Sequence, residues 1–364
     1  MTDALAMGAT SAEVADQARS VAHDAAADSA RVQTLRGLAC LLLVGFHVIG
    51  SGTSSGMAVP DDSGWRLFAN LFTPLRMPLF AFLSGFVYAY RPVRAGQEGR
   101  FAQKKLIRLW LPLLTVSTIY YLTTLVAPEA RGRLSFSEAW TIYLYGYVHF
   151  WFLQSIILIF AATLLFEIFG GLSTCGRFTL VLAVAFVLSL IADPNQTSLM
   201  SWRGALYLAP FFLLGLGANR FRDAIRQPHV QVACALIFAA AMAVNVYQLT
   251  TWSGVVQAGS VLFAMIGATG ALTLSTYFPC VGVLERLGAY SFAVYLFHPF
   301  FVAPIRMVLD MVQVTTLGLV FTGCLIAGIV GPAMLESFVK RIPWARMALL
   351  GRGISPLPGD RGSP

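Results

Sequence analysis

The sequence predicts an all-α fold, a polytopic bundle of about ten transmembrane helices with both termini on the cytoplasmic side. Three observations predict it. Of the 364 residues, 57% are hydrophobic and only 12% charged, whereas soluble domains carry about 25% charged residues. The mean hydropathy is +0.71 over the whole chain. That is more apolar surface than one soluble core can hide, so the solvent of this chain is lipid. Apolar runs near the ~20 residues that cross a bilayer also recur from one end to the other.

The elements follow in chain order. Residues 1–30 are Ala-rich and polar, with Asp3, Glu13, Asp16, Asp24 and Asp28 against a lone Arg19. A signal peptide needs a basic start and an apolar core, so this segment reads as a mobile cytoplasmic tail. A membrane domain over 31–343 and a cytoplasmic C-terminal tail over 344–364 complete the chain. Within the domain, spans are predicted at 34–51, 66–90, 104–126, 150–169, 176–192, 203–219, 230–248, 256–276, 288–309 and 315–338. The aromatic segment 136–148 reads as an interfacial helix.

Orientation follows from the basic residues. The net charge is +8 and the pI about 9.4, but the cations sit between apolar runs and do not line one face. They therefore read as topology signals rather than a nucleic-acid footprint. With the N-terminus inside, nineteen of the 25 Lys and Arg residues fall in cytoplasmic segments, five fall outside, and Arg76 falls within the second span. The five cysteines are isolated, with no CxxC pair, zinc spacing or disulfide framework. They read as packing residues, and no metal is expected.

Ionisable residues inside spans are expensive and mark function. Here they are His47 in the first span, Arg76 in the second and His298 in the ninth. Glu167, Asp310 and Glu336 lie near span ends, where they can reach headgroups. Arg36 and His47 are eleven residues apart, three helical turns plus about 20°, so they share a face about 16 Å apart along the axis. Arg36 is expected at the cytoplasmic rim, suited to a phosphate. His47 is expected well inside, suited to a general base or to an interhelical hydrogen bond. Ser84 and Gly85 form a small-residue patch where helices can approach closely. Lys104, Lys105 and Arg108 form a cationic cluster before the third span, with Arg91 and Arg94 nearby. His149 and Trp151 fall at an interface, where Trp is common. His298 stands beside Tyr295.

Together these segments resemble the acyltransferase-3 family of membrane acyltransferases over about residues 31–339. The first-span pair Arg36 and His47 matches the family's Arg, ten residues, His. Pro78 to Phe86 matches its second-span Pro-Leu-Phe…Ser-Gly-Phe stretch, with Arg76 where a basic residue is frequent. Lys105, Arg108 and Pro112 match its basic pair before a proline. Trp151 to Leu153 matches Trp-Phe-Leu, and Tyr290 to Pro299 matches a late Tyr-Ser…His-Pro stretch. Two positions depart from the pattern. Gln33 stands where an Asp is frequent. Lys105 stands where Arg is frequent, keeping the charge but losing the bidentate fork.

The resemblance implies a plasma-membrane enzyme that moves an acyl group, by default acetyl, from acyl-CoA to a hydroxyl of a carbohydrate or glycolipid. It implies His47 and Arg36 as catalytic residues. Lys105, Arg108 and Arg36 would bind the CoA phosphates, with the pair Arg91 and Arg94 as a competitor. Arg76, Ser84, Trp151, Tyr295 and His298 would line the acceptor side. A carrier or flippase for a sugar or lipid-linked sugar would also use intramembrane Arg and His. The sequence shows no paired halves with matched broken helices, as many carriers have.

Overall fold

The computed structural model describes residues 11–90, 92–93, 96–126, 132–251 and 254–352, with side chains from Ala26 onward. Among these residues there is no strand. The helices are α1 (Ser11–Ile49), α2 (Gly64–Leu71), α3 (Thr73–Tyr88), α4 (Glu98–Lys105), α5 (Leu111–Val126), α6 (Thr141–Leu144), α7 (Trp151–Ile168), α8 (Cys175–Ile191) and α9 (Trp202–Arg220). They continue with α10 (Arg222–Ile225), α11 (Pro228–Thr251), α12 (Val261–Tyr277), α13 (Gly282–Ala289), α14 (Ser291–Met311), α15 (Leu317–Val339) and α16 (Pro343–Leu350). A π-helical turn, Leu106–Trp110, joins α4 to α5.

Each predicted span is helical, but length and composition alone qualify only seven segments to cross a bilayer, or eight when the α12–α13 pair, bent by 120°, counts as one. Helices α8 and α12 have 17 residues each, about 26 Å against a hydrocarbon core of about 30 Å. Helix α9 carries Arg203 near its start and Asn219 and Arg220 at its end.

Contacts between helices fix their directions. Phe82 lies against Gly215, and Asn219 Nδ2 donates to Phe86 O at 2.9 Å, so α3 and α9 are parallel. Ser155 meets Ser201 at one end of α7 and α9, and Glu167 meets Arg220 at the other, so these are parallel too. Phe178, at the start of α8, packs on Gly217 at the end of α9, so that pair is antiparallel. Asn245, near the end of α11, donates to Leu71 O. Arg31 donates to Ser275 O, placing the end of α12 beside the start of α1. Arg108 lies over Phe292 and Tyr120 meets Phe300, so α5 runs with α14, whereas Gly323 faces Leu309 and Gly331 faces Phe301, so α15 runs against it. With α14 parallel to α1, as shown below, the ten helices α1, α3, α5, α7, α8, α9, α11, α12, α14 and α15 alternate in direction along the chain.

One end of the bundle is basic. There Asp28, 8% exposed, lies 2.6 Å from Arg222 and 3.5 Å from Arg226 and accepts from the Tyr90 hydroxyl at 2.9 Å. At the opposite end the loop after α1 folds back over the helix. Its fastener is Arg66, 2% exposed, which donates to the carbonyls of Gly50 and Val59 and pairs with Asp61 at 3.4 Å.

Three expectations need correction. The segment 136–148 is not one helix. It is a 3₁₀ turn (Phe136–Glu138), the single turn α6, and an extended stretch whose Tyr145 bridges Leu199. Glu336 does not reach for headgroups. It is 1% exposed and lies 2.8 Å from both Lys340 and Arg352. Residues 344–350, assigned to the C-terminal tail, belong to α16, which packs on α5 through a Thr115 Oγ1 to Ala348 O bond of 2.6 Å.

Candidate active site

The site begins with the register of α1 against α14. Cys40 Sγ lies 3.9 Å from Ser291 O, which sets these residues level. Seven residues further along each helix, about 10 Å, stand His47 and His298, whose ring centroids are 4.8 Å apart. Two helices 250 residues apart in sequence thus run parallel and present imidazoles to each other.

Backbone carbonyls select the tautomers. His47 Nδ1 lies 2.8 Å from Leu43 O. A carbonyl only accepts, so Nδ1 carries the hydrogen and the lone pair is on Nε2. His298 Nδ1 lies 2.9 Å from Val294 O and 3.1 Å from Tyr295 O, which fixes the same tautomer. Its buried Nε2 has no hydrogen-bond partner among the described residues. His149 is fixed the other way, with Nε2 3.3 Å from Leu296 O and the lone pair on Nδ1. Its ring is 5.2 Å from that of His298. Tyr295 donates its hydroxyl to His149 O at 2.5 Å. Three neutral imidazoles therefore meet, each with one basic nitrogen left over.

Arg76 completes this group. Its guanidinium carbon lies 3.6 Å from the centroid of the Phe46 ring, and that ring meets His47 edge-on at 5.5 Å. Arg76 Nε and Nη1 are buried without a hydrogen-bond partner among the described residues. Donors held beside a base in a site of low dielectric are suited to stabilising a developing oxyanion.

The other candidates separate into two groups. Trp151 meets Phe152 edge-on and Tyr207 at a tilt of 45°, and Tyr207 is within electrostatic range of Arg76. Ser84 donates to Phe80 O of its own helix at 2.8 Å, and among the described residues no hydrogen bond joins it to the imidazoles. Arg36, Lys105 and Arg108 lie toward the basic end, with Arg36 and Arg108 within electrostatic range of each other. Lys105 Nζ sits 3.5 Å from the Phe160 centroid, and Arg108 Nη1 donates to Leu350 O at 3.3 Å. Arg91 and Arg94 lie outside the described residues. Arg36 stands eight residues beyond Asp28, about 12 Å further in. It is therefore inside the bundle rather than at its rim, and His47 is in the last turn of α1.

Comparison with protein families decides the class. The model of the acyltransferase domain family matches residues 30–336. The chain belongs to this family. No curated protein and no solved structure matches it. The matched region of this membrane acyltransferase contains His47, His149, His298, Arg36, Arg76, Lys105 and Arg108, and it ends at Glu336, before α16.

Sequence reasoning did not select His149. It lies outside the apolar runs, in a turn where Val148 has φ +41°, a left-handed conformation that is strained for a β-branched residue. The signal was present in the Val148–Leu153 stretch already noted for Trp151.

Proposed function

We propose that this acyltransferase moves an acyl group, acetyl by default, from cytoplasmic acyl-CoA to a hydroxyl of a carbohydrate acceptor such as an exopolysaccharide or lipopolysaccharide sugar, at the plasma membrane. One observation carries the reading. The Nδ1–H of His47 is committed to Leu43 O, which leaves Nε2 as a base beside His298 and Arg76.

In this reading Lys105, Arg108 and Arg36 hold the donor phosphates at the basic end, and the pantetheine arm follows α1 toward His47. His47 Nε2 takes the proton of the acceptor hydroxyl as its oxygen attacks the thioester carbonyl. The Arg76 donors stabilise the oxyanion. As the C–O bond forms and the C–S bond breaks, the leaving thiolate takes the proton back from His47. Trp151, Tyr295 and His298 line the acceptor side. Orientation contributes the rest, because a thioester is already reactive.

The test uses membranes containing the full-length protein and radiolabelled acetyl-CoA. Removing a general base slows proton transfer by about 10²–10⁴-fold, so His47→Ala should lose label transfer while accumulating at the wild-type level. Full activity in His47→Ala would sink the assignment. An unmodified solute crossing the membrane, with no label transferred, would mark a carrier instead. Mass spectrometry of surface carbohydrates from cells lacking the gene should show the acceptor as a species lacking one acyl mass.

A further inference from the structure

The C-terminal segment 343–352 lies beyond the matched region, yet it is built into the basic end of the bundle. The reason starts at Pro112. In a regular helix its N–H would bond to Arg108 O, but proline has none. The chain instead takes one π-helical turn over Leu106–Trp110, with Leu111 N–H reaching back to Leu106 O. Such turns concentrate at functional sites. The carbonyls of Ile107 and Arg108 then face Gly351, which ends α16 at φ +59°. A Cβ on Gly351 would stand 2.5 Å from both oxygens, so only glycine fits. Together with Lys104, Lys105, Ile107 and Arg108, Gly351 lines a cavity of about 320 Å³.

Arg352 follows immediately. Its Nη2 lies 2.8 Å from Glu336 Oε1, and Lys340 Nζ lies at the same distance from that oxygen. Arg352 and Glu336 are both within electrostatic range of Arg108. One buried carboxylate thus pairs with Lys340 and Arg352 near Arg108, Lys104 and Lys105 line the cavity with Arg108, and the excess of cations calls for a polyanion.

We infer that Gly351 and Arg352 complete the binding site for the phosphoryl groups of the nucleotide-bearing thioester donor, with Glu336 as the positioning residue that holds Arg352 beside Arg108. The inference rests on the acyl-CoA reading above. It adds one wall and one arginine that the family domain does not contain. Glu336, at the last matched residue, is the joint between them.

The experiment measures binding of coenzyme A to the full-length protein, purified in detergent, by isothermal titration calorimetry. Arg352→Ala should weaken binding about tenfold, the scale of one charge-assisted hydrogen bond. It should raise KM for the acyl donor with kcat unchanged. Arg352→Lys keeps the ion pair with Glu336 and should lose about threefold, a graded rescue that a merely structural role would not produce. Gly351→Ala should weaken binding without changing the site's charge. Wild-type affinity in Arg352→Ala would overturn the inference and leave the acyl-CoA reading standing. A wild-type protein that binds no coenzyme A would overturn both.

Discussion

Consider Gly85→Ala. Gly85 of α3 and Gly215 of α9 form a reciprocal crossing in which each helix's glycine faces the other's backbone. A Cβ on Gly85 would stand 1.9 Å from Phe212 O, and one on Gly215 the same distance from Phe82 O. Ordinary contact begins at 3.4 Å, so one methyl must part the helices locally by about 1.5 Å. Overpacking of this kind costs about 1–3 kcal/mol. The Asn219 to Phe86 bond, one turn away, is at risk for about another 1 kcal/mol. The variant should therefore lose about 2–4 kcal/mol of stability.

Arg76 lies nine residues earlier on α3, so the displacement also reaches the site, where a 1 Å misplacement can slow a reaction about 10²-fold. Fluorescence-detected unfolding in detergent should show a midpoint lower by several degrees, and acyl transfer should fall by one to two orders of magnitude. Gly215→Ala should behave alike, and the double variant should fall short of additivity because the same interface is already open. An unchanged midpoint and rate in Gly85→Ala would refute the backbone-to-backbone crossing.

Two further outcomes test the rest of the structure. Ser84→Ala should keep transfer within about twofold, because the hydroxyl serves Phe80 O of its own helix and such bonds are worth about 1 kcal/mol or less. Loss of transfer with normal accumulation would mark Ser84 as a nucleophile. Asp28→Asn removes the charge that holds Arg222 and Arg226. Both arginines keep some solvent access, so the loss should be about 1–3 kcal/mol rather than that of a fully buried pair, read as a lower unfolding midpoint with kcat preserved.

The spans were legible because a lipid-facing helix must be apolar along its whole length, and runs of that length are hard to mistake. What apolarity does not carry is which way a polar residue turns. Glu336 shows the limit and the remedy. On α15 the buried residues Val320, Cys324, Gly328, Pro332 and Glu336 recur every four residues. That is the spacing of a helix face packed on neighbours, so the glutamate at the end of the series had to point inward. His47 and His298 were legible as intramembrane histidines. Their meeting depends on the register of two helices some 250 residues apart, which no local pattern encodes. His149 was hidden for the opposite reason, since its position comes from a strained turn at Val148 and not from periodicity. Arg36 was placed too near the rim because its helix extends well past it into the basic end, and an Ala-rich polar stretch gives no apolar signal of that extension.

Helices α1 and α14 run parallel, and this matters for the proposed chemistry. The level set by Cys40 and Ser291 on these parallel helices brings His47 and His298 together. The same α1 carries Arg36 about 16 Å nearer the basic end. A donor whose phosphates are fixed among cations and whose reactive carbon is fixed beside His47 must bridge that axial distance itself, with a long thin arm. Coenzyme A has that shape: its charge is at one end and its thioester at the other. A carrier would need the central residues to face each end in turn. Here His47 sits in the last turn of α1, under a loop fastened by the buried Arg66, while Arg36, Lys105 and Arg108 lie toward the far end. In the proposed reading the acyl group passes along this path, and the solute itself need not move through it.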